Sequence, residues 1–372
     1  MGVSLEGMLG RQVSRRRLVR LGACSSAAAA VALLGTLGMA QAQDPLPDIS
    51  GQEIVWPGYG GPYDEAIRNT VDPLFYEQTG CRVTIVPGPD SAKLIEMVNN
   101  NAVEWDLFPT GPEFPPSIFD DPNPVFEPID YTVVRADPIP KDLQFKHMIT
   151  TDGYSLGIVY RKDRFPDGGP QSWADVWDTE RFPGPRALPR RTADIIEIAT
   201  MADGVAADDP GFYPIDVDRA MESIKKIQPH VVKFWTGGEE PMQLLLSGEV
   251  DIAGVWLSRV FGPIGEGAPL DMTWNENIFR IGGFSPVKGS QNLDCVMQYL
   301  DFRARPEIQA LISNVAAIAY TNPDTAQYIN PDRVSQLPSS PDNIKVQHLS
   351  DGRFWFENEA SINEQVTDLL GA

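Results

Sequence analysis

Apolar residues along this chain fall into two alternating spacings. Compact apolar runs bounded by glycine, proline or aspartate read as strands, and apolar positions three or four apart read as helices. Glu53-Ile54-Val55-Trp56 makes a first strand and runs into the turn Pro57-Gly58-Tyr59-Gly60-Gly61. A helix extends from there to residue 78, closed by Thr79-Gly80, and a second strand follows over 81–86. A helix over 93–101 and a strand at Trp105-Asp106-Leu107-Phe108 come next, with Pro109-Thr110-Gly111 as the loop beyond. Residues 114–142 are rich in proline without a regular period, which predicts an irregular surface cover. A strand over 153–160, a strand ending before 188–194 and a helix over 195–203 continue the alternation. Helices over 292–303, 306–314 and 359–370 follow. Strands and helices in this order make an α/β protein.

The stretch 235–286 is the most legible. It reads as loop, helix, strand, helix and return strand. The helix over 240–247 ends at Gly248, a good C-cap residue. Val250-Asp251-Ile252-Ala253-Gly254-Val255-Trp256 has the continuous apolar character of a buried parallel strand. Ligands of open α/β sheets bind beyond the carboxyl ends of such strands. Trp256, Ser258 and Arg259 lie at that end and Arg280 closes the return strand, so this stretch is expected to form one wall of a cleft. Thr236-Gly237-Gly238-Glu239-Glu240 precedes the helix; Thr236 reads as its cap, and the alternative is that Glu239 holds a ligand amine at the cleft rim.

At 372 residues the chain is long enough for two domains with their own cores. Its net charge of −21 argues against nucleic acid and anionic membranes as partners. The acidity reads as solubility first and as steering of cationic ligands second. Residues 1–42 read as an export address. Ser14-Arg15-Arg16-Arg17-Leu18 fits the twin-arginine pattern, an alanine-rich apolar segment too short for a membrane span follows, and Ala40-Gln41-Ala42 fits a cleavage site. That segment carries five arginines and one glutamate, so the mature chain stands at roughly −25. Cys81 and Cys295 remain after cleavage, as a disulfide or as two buried thiols.

Four motifs in register carry a resemblance. Gly248-Glu249-Val250-Asp251-Ile252 leads into the apolar strand ending at Trp256, and Ser172-Trp173-Ala174-Asp175-Val176-Trp177 precedes Pro183-Gly184. Arg305-Pro306-Glu307 follows a helix and precedes Tyr320-Thr321-Asn322-Pro323, and Glu77-Gln78-Thr79-Gly80 separates the first two strands. Over nearly all of the mature chain the sequence resembles the family 1 extracellular solute-binding proteins of ABC importers, and among them the spermidine/putrescine-binding periplasmic type. The resemblance implies a type II periplasmic-binding-protein fold, with two α/β lobes, each holding a mixed five-stranded sheet, a hinge, and a ligand cleft between them. It places the first lobe at 51–153 plus 283–325 and the second at 154–282 plus 326–372, with chain crossings near Gly153, Arg280 and Tyr320. It also implies a small-molecule ligand, delivery to permease subunits in the inner membrane, no cofactor and a single subunit working in the periplasm.

The resemblance extends to the site. Trp56 and Tyr59 have the spacing at which the polyamine binders set two aromatic rings against the ligand, although a core role suits Trp56 equally. Thr110 sits where the family offers a hydroxyl, and Tyr320 lies near the cleft. The departures concern charge. Arg190 and Arg191 stand where that type has two consecutive acids, ahead of a helix, while Asp194 keeps the third acidic position. A tryptophan near Arg280 and an aspartate near Gly282 are lost. Arginine suits bidentate capture of carboxylate or phosphate. The resemblance alone therefore implies a polyamine. The residues imply an acidic or zwitterionic compound, with Arg191 and Arg280, supported by Arg190 and Arg259, on its anion. Trp56, Tyr59 and Trp256 are then expected on its carbon frame, and Asp194 or Glu239 on its amine.

Catalytic signatures are sparse. His147, His230 and His348 are the only histidines and none has ligand spacing, which excludes a histidine metal centre. No nucleophile elbow or haem attachment motif occurs. The chain is expected not to be an enzyme, the competing class being a periplasmic enzyme with an unusual site.

Overall fold

The computed structural model describes residues 45–112 and 118–371. The twin-arginine segment and residues 113–117 lie outside the described residues. Strand β1 (Glu53–Gly58) pairs in parallel with β2 (Arg82–Pro87). They are joined by helix α1 (Gly61–Ala66), a π turn at Ile67–Val71 and helix α2 (Asp72–Thr79), which Gly80 closes in the left-handed conformation at φ 72°. Helix α3 (Ser91–Asn99), capped by the Asp90 carboxylate, leads to β3 (Leu107–Thr110). Asp106 ties this strand to the first: its N–H donates to Val55 O at 2.8 Å, and its carboxylate accepts from Val55 N at 2.8 Å.

Two long strands carry the chain from one lobe to the other. β4 (Ile149–Arg161) and β9 (Ile278–Pro286) run antiparallel, from Ile149 opposite Phe284 to Leu156 opposite Ile278. At thirteen residues, β4 spans roughly 40 Å at the usual rise. In the first lobe β3 pairs with the end of β9. In the second lobe β7 (Ile252–Trp256) pairs with the far half of β4, and β5 (Arg186–Pro189) and β6 (Val231–Trp235) extend the sheet in parallel. β8 (Leu270–Met272) adds to β4, and β10 (His348–Leu349) adds to β9. The expected pair of five-stranded sheets is therefore an eight-stranded sheet threading both lobes plus the β1–β2 ladder, because β4 and β9 are long enough to belong to both.

Apolar side chains gather into two main cores. One holds Ile54, Trp56, Phe75, Leu107, Phe284, Tyr299 and Phe302; the other holds Leu156, Leu188, Ile195, Ile198, Val255, Leu257 and Trp355. Helix α4 (Trp173–Trp177) buries Trp173, α5 (Thr192–Ala202) lies almost wholly inside the second core, and α6 (Val217–Ile227) covers α5. Helix α7 (Glu240–Ser247) ends at Gly248 with φ 79°, as its sequence predicts. A short helix, α8 (Phe261–Gly265), follows β7. α9 (Leu293–Ala304) and α10 (Pro306–Val315) belong to the first lobe. The segment after α10 covers the first lobe as well: Ile329 and Leu337 pack on Ala310, and Ile344 joins the first core.

The last helix, α11 (Gly352–Leu370), begins seven residues before its expected start at 359, because Asp351 accepts from Arg353 N and Phe354 N as its cap. It anchors on the second core through Trp355, Ile362 and Val366. No helix among the described residues is long and apolar enough to cross a membrane.

Cys81 and Cys295, both fully buried, form a disulfide between the start of β2 and α9. It closes 214 residues of chain inside the first lobe's core. Replacing both cysteines by alanine is expected to lower the unfolding free energy by about 2–5 kcal/mol. Urea titrations of the oxidised protein and the double variant measure this, and an unchanged midpoint would show that the bond contributes nothing.

Candidate ligand-binding cleft

Between the lobes lies a cleft of about 480 Å³. The first lobe contributes Tyr59, Gly60, Tyr63, Pro109, Thr110 and Asp152. The second contributes Tyr154, Arg190, Arg191, Trp235, Trp256, Ser258 and Arg259, and the terminal helix adds Glu359 and Asn363. The backbone of Gly282 and Gly283 forms part of the lining, where β9 passes β4 without side chains. A Cβ on Gly283 would stand 2.0 Å from Ile149 O, and one on Gly282 would stand 2.5 Å from Asp152 Oδ1. Only glycine lets the two strands approach this closely and leaves Asp152 facing the cleft.

The second-lobe wall is aromatic. Trp256, at the end of β7, meets Tyr154 edge-on with centroids 6.3 Å apart and Trp235 with centroids 5.5 Å apart. The Trp235 indole donates to Gly254 O at 3.0 Å, which locks its ring. Such rings offer flat apolar area with little conformational entropy to lose, suited to a methylene chain or an ammonium group.

Three arginines face this space. Arg191 stands at the N-cap of α5, with Nη1 3.4 Å from Asp194 Oδ1 and 3.5 Å from the Tyr154 hydroxyl. Arg190 precedes it and donates to Gly371 O beyond the terminal helix. Arg259 crosses between lobes: its Nη1 is 3.3 Å from Glu239 and its Nη2 is 3.5 Å from Tyr59 O. Its guanidinium lies 5.5 Å from the Trp256 ring centroid. Burial pulls Arg259 below its ordinary value, with Glu239 and Asp64 acting against that pull. A Cβ on Gly61, where φ is +66°, would stand 2.0 Å from Arg259 Nη1, so a glycine at this turn makes room for the arginine.

Tyr59, Thr110, Arg190, Arg191, Trp256 and Arg259 line the cleft; five other expected site residues do not. Trp56 is fully buried in the first core, edge-on to Phe284 at 5.0 Å. It shares the inward face of β1 with Ile54, and only past the strand's end does the chain reach the cleft, at Tyr59. Arg280 is 1 % exposed and held by carboxylates: Nη2 lies 2.8 Å from both Asp194 and Glu197, Nε lies 3.2 Å from Asp194, and Nη1 donates to Ser350. Asp194, equally buried, is the counter-ion of Arg280 and Arg191 rather than part of the lining. Glu239 sits outside the lining, mostly exposed, on Arg259. Tyr320 packs with Ile329 and Leu337, and its neighbour Ile318 reaches the cleft instead.

Tyr63, Asp152, Tyr154, Trp235, Glu359 and Asn363 also line the cleft without having been singled out as site residues, while Ser258 stands in the wall as its sequence position predicts. Glu359 and Asn363, one helical turn apart, carried a signal in their i, i+4 spacing along the flank of the stripe that bears Trp355, Ile362 and Val366.

Beneath Arg191 the buried charges form one network. Glu197 accepts from Arg280, Ser350, Tyr213 and the Trp355 indole, the last two at 2.5 Å. Burial pushes its carboxyl upward, but Arg280, then His348 and the hydroxyl donors, bring it below its ordinary value. Breaking such a network leaves charge buried and uncompensated. Arg280→Ala is expected to cost about 3–5 kcal/mol at neutral pH. Glu197, held below its ordinary value, supplies stability that is present at neutral pH and lost as pH falls, so the gap between wild type and variant should narrow toward about pH 4. Urea unfolding of both proteins from pH 4 to 8 measures this, and a gap independent of pH would contradict it.

The sequence profile of the bacterial extracellular solute-binding proteins matches residues 74–341. The gamma-aminobutyric acid-binding protein of Pseudomonas aeruginosa is 25 % identical over 284 residues, 74 % of this chain and 78 % of that protein. The spermidine/putrescine-binding periplasmic protein of Escherichia coli K12 is 23 % identical over 181 residues, 48 % of this chain and 50 % of that protein. A periplasmic binding protein of Agrobacterium tumefaciens R10, solved with agropinic acid, superposes with a TM-score of 0.78 at 27 % identity, covering 87 % of this chain and 99 % of that one. With its two lobes and interlobe cleft, the chain belongs to the bacterial extracellular solute-binding proteins and is the substrate-binding component of an ABC transporter.

Proposed function

We propose that this receptor captures a small compound bearing both an acidic group and an amine, and hands it to a membrane permease without changing it chemically. The observation that carries the reading is the charge of the lining: Arg190, Arg191 and Arg259 against Asp152 and Glu359, in a chain of net charge −21. Arginines brought together on one cleft wall, at the head of a helix, provide planar donors for a carboxylate or phosphate. The buried N–H groups of Trp256 Nε1 and Arg259 Nε have no acceptor among the described residues, which suits oxygen atoms on the ligand. Tyr59, Trp256 and Trp235 would flank the carbon frame, and Asp152 or Glu359 would meet the amine. One relative named for gamma-aminobutyric acid and one solved in complex with agropinic acid, both ligands with acid groups, support this direction. The polyamine reading requires carboxylates at the head of α5, where Arg190 and Arg191 stand.

The same proposal includes export by the twin-arginine route, action as a single subunit in the periplasm, and closure of the lobes on the ligand about β4 and β9. The lobe division expected from sequence belongs to it too, with the final crossing moved to the approach to β10, since residues 329–344 pack on the first lobe.

Thermal unfolding of the mature protein against gamma-aminobutyrate, opines, putrescine and spermidine tests the reading. A ligand at a hundred times its dissociation constant adds about 2.7 kcal/mol. Stabilisation by the acid-bearing compounds is expected, and Arg191→Ala should weaken their binding by about ten- to a hundredfold, the value of a charge-assisted contact. Stabilisation by polyamines alone would overturn the proposal.

A further inference from the structure

Asp152 is the carboxylate that the first lobe turns toward the cleft, and it is backed by a cation that no solvent reaches. Arg303, on α9, has a fully buried side chain, and its Nη2 lies 3.5 Å from Asp152 Oδ2. The same nitrogen donates to the Tyr63 hydroxyl at 3.0 Å, and that hydroxyl donates to Asp152 Oδ2 at 2.6 Å. The Thr151 hydroxyl donates to the same oxygen at 2.9 Å. The guanidinium is stacked 4.9 Å from the Phe284 ring centroid and 5.8 Å from that of Tyr299.

No other carboxylate among the described residues lies within ion-pair distance of Arg303. Asp72 is reached only through the Tyr299 hydroxyl, which donates to it at 2.9 Å. Burial, outweighing the Tyr299 hydrogen bond and Arg303, pushes the Asp72 carboxyl up to about 7, so it is a partial counter-charge at neutral pH. A buried arginine cannot release its partner without leaving a charge uncompensated. Asp152 is therefore committed to Arg303 before any ligand arrives. The second lobe also buries an arginine on carboxylates, Arg280 on Asp194 and Glu197, but there neither acid lines the cleft.

We infer that Arg303 sets the net charge of the ligand this cleft accepts, by neutralising Asp152 from behind so that the first-lobe wall offers no full negative charge to a second ammonium group. Arg303 is a positioning residue: it lines no part of the cleft and acts through Asp152. This rests on the proposed acidic or zwitterionic ligand class and deepens it, since it explains why a dication is a poor match even though an aspartate faces the ligand.

The test is a charge ladder of three probes of similar length: putrescine, gamma-aminobutyrate and glutarate. Isothermal titration measures each against wild type, Arg303→Gln, Arg303→Lys and Asp152→Asn. Arg303→Gln should move the affinity ratio of putrescine to gamma-aminobutyrate by about tenfold toward putrescine. Arg303→Lys, which keeps the charge, should hold the wild-type ratio. Asp152→Asn, which leaves Arg303 unmatched, should move the ratio of glutarate to gamma-aminobutyrate by about tenfold toward glutarate. A merely structural role would weaken all three probes together. A folded Arg303→Gln protein with an unchanged ratio overturns the inference; if that variant does not fold, an unchanged glutarate ratio in Asp152→Asn overturns it. A wild-type protein that prefers putrescine instead overturns the ligand class on which the inference rests, leaving the two failures distinct.

Discussion

The antiparallel pairing of β4 and β9 is the constraint on which the rest of the molecule depends. Each strand is too long for one lobe, so their shared ladder is both a wall of each core and the passage between cores. Everything that makes the cleft is hung from it. Asp152 and Tyr154 sit on β4 where it crosses, and Gly282 and Gly283 sit opposite on β9. The β-bulge between Thr150 and Asp152 re-aims the strand at that point, a common use of an irregularity beside a binding site. A larger residue at Gly283 would force the ladder apart where it passes the cleft.

Charge is distributed in layers around this frame. The surface is acidic, the cleft wall is lined with arginines, and behind the wall lie further arginines held by buried carboxylates. Such an arrangement places the costly element, a charge removed from water, where packing and hydrogen bonds can hold it still. The arginines that meet the cleft thereby keep fixed directions: Arg191 between Asp194 and Tyr154, Arg259 between Trp256 and Gly61. Preorganised donors lose less on binding than mobile ones.

Much of this was legible in the residues. Gly248 ended its helix, the apolar run to Trp256 was a buried strand, and the ends of β1, β3 and β7 supplied Tyr59, Thr110, Trp256 and Arg259 to one space. What failed was direction rather than position. Trp56 and Tyr59 are three residues apart, yet the strand ends between them, and side-chain alternation sends the first into the core. Arg280 lies on the right strand, but two buried carboxylates of α5, 86 and 83 residues away, claim it, a long-range pairing with no local trace. Trp235 escaped notice as a lining residue because it ends β6, a short and half-exposed strand, and Glu359 and Asn363 did so because the polar positions of the predicted terminal helix read as a solvated face.

The last described helix couples the pocket to a distant part of the chain. α11 supplies Trp355 to the second core and Glu359 and Asn363 to the cleft, and Arg190 holds Gly371 beyond its end. The ligand wall is thus shared between segments far apart in sequence, with Tyr59 near one extreme and Asn363 near the other. Local opening of this helix would remove both polar side chains from the pocket without breaking any strand pairing, so docking of the helix and occupancy of the pocket are linked free energies, each raising the cost of losing the other.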